Sequence, residues 1–172
     1  MEVAEAIKSR RSVRKYKSTP VPEEALKKIL NAARLAPSAA NLQPWRFIIV
    51  MDEDVKRHLA AACNSMNWIT RAPVVIVACA NMDVAIAMVG GYMNSAPVDV
   101  AIALTQMSIM ATSEGLGTCW IGAFKEEKVS ALLGIPKECR VVSVMTLGYP
   151  DESPAMPGRK NISEIISYNK FE

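Results

Sequence analysis

Histidine occurs once, at position 58, and the four cysteines, Cys63, Cys79, Cys119 and Cys139, are widely spaced with no CxxC pair. These scarcities argue against a metal site and a disulfide framework; the expectation is four buried thiols in a reducing compartment. No GxSxG is present and the lone His58 is expected on the exposed flank of a helix, so no catalytic residue is assigned. The start, MEVAEAIKSRR, lacks the apolar core of a secretory signal, and the expected location is cytoplasmic. The longest strongly apolar region, Val100 to Ser113, lies between Asp99 and Glu114 and is too short to span a bilayer. Lys and Arg exceed Asp and Glu only by 20 to 17, which argues against a surface built to coat nucleic acid. Neither a membrane nor a nucleic acid is an expected partner. There is no internal repeat and no low-complexity segment.

What is present suits one compact domain over residues 1–172, since 51% of the residues are apolar and can fill a sizeable core. Val3, Ala6 and Ile7 predict a short first helix ending near the arginines. Pro22, Glu23 and Glu24 open a second, with Leu26, Ile29, Leu30 and Ala33 on one face and Pro37 stopping it near Ala36. RFIIVM (46–51) and PVVIVACA (73–80) read as buried strands. Between them, Asp52 and Asp54 open a helix with Val55, Leu59 and Ala62 on one face. Pro97 to Glu114 is apolar almost all round, predicting a helix buried on every side, either in the core or across a subunit interface, and ended by Gly115 and Gly117. A short helix over Lys125 to Leu133 and a strand in CRVVSVMTLGYP follow. The tail passes through turn-rich PDESPAMPGRK to ISEIISYNKF, an alternating segment able to lie along a neighbouring sheet edge. Helices and strands alternate irregularly, so a three-layer α+β arrangement is expected rather than a doubly wound sheet.

Three segments carry the candidate chemistry. SRRSVRKY (9–16) gathers Arg10, Arg11, Ser12, Arg14 and Lys15 with no acid among them. Guanidinium forks and a hydroxyl suit a phosphate monoester, although a solvated basic face or a weak nucleic-acid contact would read the same. In LAPSAANLQPWRF (35–47), a loop between Pro37 and Pro44 joins a helix to a strand. Small Ser38, Ala39 and Ala40 allow a flat ligand to approach the main chain, and Asn41 offers both a donor and an acceptor. The alternative is an ordinary helix-to-strand turn. GLGTCWIGAF (115–124) flanks a strand-like stretch with glycines, yet Trp120 stands where a GxGxxG fingerprint needs glycine.

In order, RRSVRKY, APSAANLQPW, the apolar helix running into GLGTCWIG, LGYP and a late PGRK resemble the FMN-dependent nitroreductase family over nearly the whole chain. The resemblance implies a three-layer α/β/α fold with a mostly antiparallel sheet, in an intertwined homodimer with FMN in each interface. It implies that Arg10, Arg11, Ser12 and Arg14 hold the phosphate and ribityl chain, with Arg159 on the same phosphate. Pro37, Ser38, Ala39 and Asn41 would touch the flavin ring from the other subunit. The main chain at Ile121 and Gly122 would lie against the reactive N5 edge, with Asn64 and Asn67 as further ring candidates. Residues 161–172 would pack on the partner. Larger members carry a longer helical lid than residues 81–95 provide, and some have Glu where this chain has Ile121.

The expected function is an FMN-dependent oxidoreductase working in two half-reactions. NADH or NADPH gives hydride at N5, and then an electron-poor small molecule, such as a nitroaromatic, quinone or activated alkene, is reduced. An FMN storage or sensor protein without turnover, or a specialised flavin enzyme such as a reductive dehalogenase, would carry the same phosphate and ring motifs.

Overall fold

The computed structural model describes residues 1–171. A four-stranded, fully antiparallel sheet lies between helices, with strands β1 (Trp45–Val50), β2 (Val74–Asn81), β3 (Gly117–Ile121) and β4 (Cys139–Gly148) in the spatial order β1-β2-β4-β3. The helices are α1 (Val3–Ser9), α2 (Glu23–Arg34), α3 (Glu53–Ala62), α4 (Ala96–Ser113) and α5 (Glu126–Leu133). This is the expected α+β, α/β/α arrangement, and its cause is visible in β2. Strand side chains alternate between faces, and both faces of this central strand are covered. Val74, Ile76, Ala78 and Ala80 pack with Ile29 of α2 and Val100, Leu104 and Met107 of α4. Val75, Val77 and Cys79 face the other way, onto Leu59 and Ala60 of α3 and Val129 of α5. Full burial of a Val, Ile or Leu side chain contributes about 1.5–3 kcal/mol, so the unbroken apolar run of β2 is the main tie between the two layers.

Local signals set most element ends. The Asp52 carboxylate accepts from the Val55 N–H at 2.9 Å and so caps α3. Pro22 stands just before α2, where its missing N–H costs nothing. His58 is exposed on α3, as expected, with Nδ1 2.8 Å from the Asp54 carbonyl.

One expectation needs correction. Gly117 does not end α4: it is the first residue of β3, a strand that the sequence only hinted at. α4 buries one side only, leaving Val98 and Ile102 exposed, because within one chain a single layer is available to cover it. The tail forms no strand among the described residues. Asn161 and Glu164 cap each other, the Glu164 carboxylate accepting from the Asn161 N–H at 2.8 Å, which bends Ile162–Glu164 into a 3-10 turn.

The buried thiols make stability sensitive to alkali. Burial pushes Cys63 and Cys79 up to about 11 from a usual 9.0, and raises the Tyr16 hydroxyl in the same direction. In the folded chain these groups stay protonated where the unfolded chain has begun to ionise. Their contribution is therefore complete below pH 9 and is lost as pH rises toward the folded-state values. Urea unfolding should show a loss of about 1 kcal/mol per thiol by pH 10 relative to pH 8, since one pH unit of displacement corresponds to 1.36 kcal/mol. A flat profile across that range would contradict the burial of both thiols.

Candidate functional site

The basic segment leaves α1 and runs along the outer edge of β3. The Val13 N–H donates to the Thr118 carbonyl at 2.9 Å and Lys17 N–H to the Tyr149 carbonyl at 2.9 Å. Its two apolar residues, Val13 and Tyr16, turn inward and are buried, which leaves Arg10, Ser12 and Arg14 at or near the surface. Two glycines permit the close approach. A Cβ on Gly117 would lie 2.7 Å from Val13 Cγ2, and one on Gly148 would lie 3.0 Å from Tyr16 Cδ1.

Buried hydroxyls lock the same layers from behind. Tyr16 donates to the Val13 carbonyl at 2.5 Å and pairs with the Thr146 hydroxyl at 2.7 Å, while Ser143 donates to the Ile121 carbonyl at 3.1 Å. From the far end of the chain, the Glu152 carboxylate accepts from the main-chain N–H groups of Arg14 (2.5 Å) and Lys15 (3.1 Å). The strand that carries Ile121 and the segment that carries the arginines are thus one rigid unit.

Two cavities open along this edge. One, of about 380 Å³, is lined by Arg10, Ser12, Thr118, Trp120 and Ser108 of α4. The other, of about 290 Å³, is lined by Arg14, Met66, Trp68, Trp120, Ile121 and Gly122. Trp120 walls both. The Arg14 guanidinium lies 6.0 Å from the centroid of the Trp68 ring, at the outer limit of a cation–π contact. The positive field reaches into β3: burial raises the Cys119 thiol, while Arg14, the Ser12 hydroxyl and Arg10 pull it back down. Asn64 and Asn67 are exposed next to Met66 and Trp68, and Asn64 adopts a left-handed backbone with φ 53°.

The remaining predicted residues lie apart from these cavities. Arg11 turns back to cap α1, donating to the carbonyls of Lys8 and Arg10 at 2.8 Å each, and lines a separate cavity with Thr112 and Glu152. Arg159 is exposed and donates to the Gly158 carbonyl at 3.1 Å, so within one chain it does not meet Arg10. Pro37, Ser38, Ala39 and Asn41 form an outward-facing turn, with Ala40, Asn41 and Gln43 all at φ between 49° and 56°.

Trp68, Trp120 and Glu152 were not singled out from the sequence. Trp68 lies only one residue beyond Asn67, and an aromatic beside two asparagines was its available signal. Nothing local marks Glu152, whose role depends on a contact 138 residues away. Among the described residues, no group of three or more His, Cys, Asp and Glu could hold a metal ion, and no helix is long and apolar enough to cross a membrane.

The profile of the Nitroreductase family matches residues 7–80 and 62–149. An NADH dehydrogenase of Thermus thermophilus is 33% identical over 96% of this chain and 95% of its own length. An FMN reductase [NAD(P)H] of Bacillus subtilis is 31% identical over 92% of this chain and 70% of its own. Among solved structures, the NADPH:FMN oxidoreductase of Vibrio harveyi complexed with NAD+ superposes with a TM-score of 0.90 at 27% identity, covering 99% of this chain and 78% of that one. A basic segment clamped to an edge strand, beside a cavity walled by tryptophans, thus occurs in a chain that belongs to the nitroreductase family.

Proposed function

We propose that this chain is an FMN-dependent oxidoreductase that accepts hydride from NADH or NADPH and reduces an electron-poor small molecule such as a nitroaromatic, quinone or activated alkene. The observation that carries the reading is the pair of cavities on the β3 edge, one with a guanidinium and a hydroxyl, the next with main chain and indole walls, sharing Trp120. That donor set fits FMN: Arg10 and Ser12 suit a phosphate, while Trp68, Trp120 and the open main chain at Gly122 suit a flat ring. The names of the Bacillus subtilis and Vibrio harveyi relatives support the same cofactor and donor.

When bound, FMN supplies a centre that takes up and gives back two electrons. The chain's own residues bind and orient. Arg10 would neutralise the phosphate and the Ser12 hydroxyl would donate to it, with Arg14 adding positive charge nearby. The main chain at Ile121 and Gly122 would lie against the ring. In a homodimer, Pro37, Ser38, Ala39 and Asn41 of a second copy complete the ring site, and Arg159 reaches the phosphate. No side chain is needed as a general acid, because protons can come from solvent.

The test is the visible spectrum of the purified protein under anaerobic conditions as NADH or NADPH is added. Bound flavin should bleach and then recolour when an acceptor is supplied; flavin that reacts with neither nicotinamide would favour storage or sensing. Titration of the apoprotein checks the phosphate contact separately. Arg10→Ala should weaken FMN by about 1.5–3 kcal/mol, the scale of a charge-assisted hydrogen bond, and riboflavin should bind the parent protein much more weakly than FMN. Equal affinities for FMN and riboflavin would remove the phosphate role.

A further inference from the structure

Asp99 is the only acidic residue in α4, and it is 3% exposed, in that helix's first turn. Its Oδ1 accepts from the main-chain N–H of Ala39 at 3.0 Å, across sixty positions of sequence. Its Oδ2 is buried with no partner. A buried carboxylate with an unsatisfied oxygen is costly, and such a group persists where the contact it does make is needed. The contact lies beside the largest cluster of left-handed non-glycine residues among the described residues, Ala40, Asn41 and Gln43.

Left-handed conformations are unfavourable for non-glycine residues other than Asn and are kept only when surroundings over-determine them. Ser38 Oγ accepts from the Gln43 N–H at 3.0 Å, Gln43 Nε2 donates to the Asn41 carbonyl at 3.1 Å, and the Asn41 and Leu42 N–H groups donate to the Ser38 and Ala39 carbonyls at 3.0 Å each, while Asp99 holds Ala39 from outside. All but the last lie within the turn and move with it. The carboxylate of Asp99 is the one that fixes the turn to a helix, and the positive end of α4 favours its charge.

We infer that Asp99 is a positioning residue: it holds the Ser38–Gln43 turn in the left-handed form in which the turn meets a flat ligand. This rests on the reading of that turn as the ring-contacting element, and it adds a residue outside all three sequence segments that carry the candidate chemistry. Asp99 itself touches neither cavity on the β3 edge.

The test compares Asp99→Ala, Asp99→Asn and Ala39→Pro. The asparagine keeps an acceptor oxygen at the same place. The proline removes the Ala39 donor, and Ser38, at φ −143° and ψ 158°, already has the extended backbone that precedes proline. Amide hydrogen exchange over residues 38–43 in the apoprotein is the first readout, and FMN affinity with the visible circular dichroism of the bound flavin is the second. Asp99→Ala and Ala39→Pro should each speed exchange across the turn, weaken FMN about tenfold and alter the flavin spectrum, and Asp99→Asn should restore most of the loss. Combined, the alanine and proline should do little more than either alone, because both remove one bond. Parent-like exchange in Ala39→Pro would overturn the inference, as would parent-like FMN affinity and spectrum in that variant. Should Asp99→Ala fail to fold, Ala39→Pro and Asp99→Asn decide alone. Should the parent bind no FMN, the flavin reading fails while the exchange readout still judges the anchoring role.

Discussion

Gly148→Ala should lower stability by about 3 kcal/mol or more, at the upper end of the cost of overpacking a well-filled interior. Gly148 closes β4 where the basic segment and the chain before β2 converge. A Cβ there would lie 2.5 Å from Pro73 Cδ, 3.2 Å from Pro73 Cγ and 3.0 Å from Tyr16 Cδ1. None of these atoms is the free end of a flexible side chain. Pro73 is a ring fixed to the backbone, and Tyr16 is held by its hydroxyl to Val13 and Thr146. Relief therefore requires Pro73 and Tyr16 both to shift, and the shift of Tyr16 disturbs the basic segment, so FMN affinity should fall with stability. Urea unfolding midpoints and FMN titration measure the two, and a midpoint equal to that of the parent would show that the contact relaxes freely.

Removal of residues 162–172 should convert a dimer to a monomer and weaken FMN about a hundredfold, with both losses tied together because a ligand held between subunits is linked to their association. The reasoning starts from exposed apolar surface. Ile162, Ile165, Tyr168 and Phe171 are 73%, 67%, 79% and 99% exposed in the single chain, and the open side of α4 adds Val98 and Ile102. Large apolar side chains left exposed in such number suggest an interaction face, and a second copy of this chain is the partner proposed for them. Sedimentation of the truncated chain, with its flavin content measured on the same sample, decides the point. A stable dimer at full flavin occupancy would reject tail exchange.

The elements legible in the sequence are those whose environment is set by the chain's own neighbours. PVVIVACA reads as a buried strand because helices cover both its faces, and the second helix is legible because Pro22, Glu23 and Glu24 mark its start and the apolar spacing its face. β3 was only half legible: TCWI is short, flanked by glycine, and its strand character depends on pairing with β4. Glycine 117 looked like a helix terminator, although its real constraint is the Val13 side chain pressed against it. Of the site, Arg10, Ser12, Arg14, Ile121 and Gly122 line the two edge cavities. The Ser38–Asn41 turn and Arg159 do not line them, and in the proposed homodimer both would come from a second copy. Asp99 and Glu152 escaped notice because the meaning of each carboxylate lies in a main-chain N–H far away in sequence.

The clamp on the basic segment also orders events in time. Its last fastening, from Arg14 to Glu152, spans 138 residues, and the tie from Tyr16 to Thr146 spans 130. During synthesis at about 5–20 residues per second, the first arginines to emerge therefore wait on the order of ten seconds for the residues that seat them. A chain that stops short of residue 152 keeps the pairing of Val13 with Thr118 but lacks the Glu152 carboxylate that clamps Arg14 and Lys15.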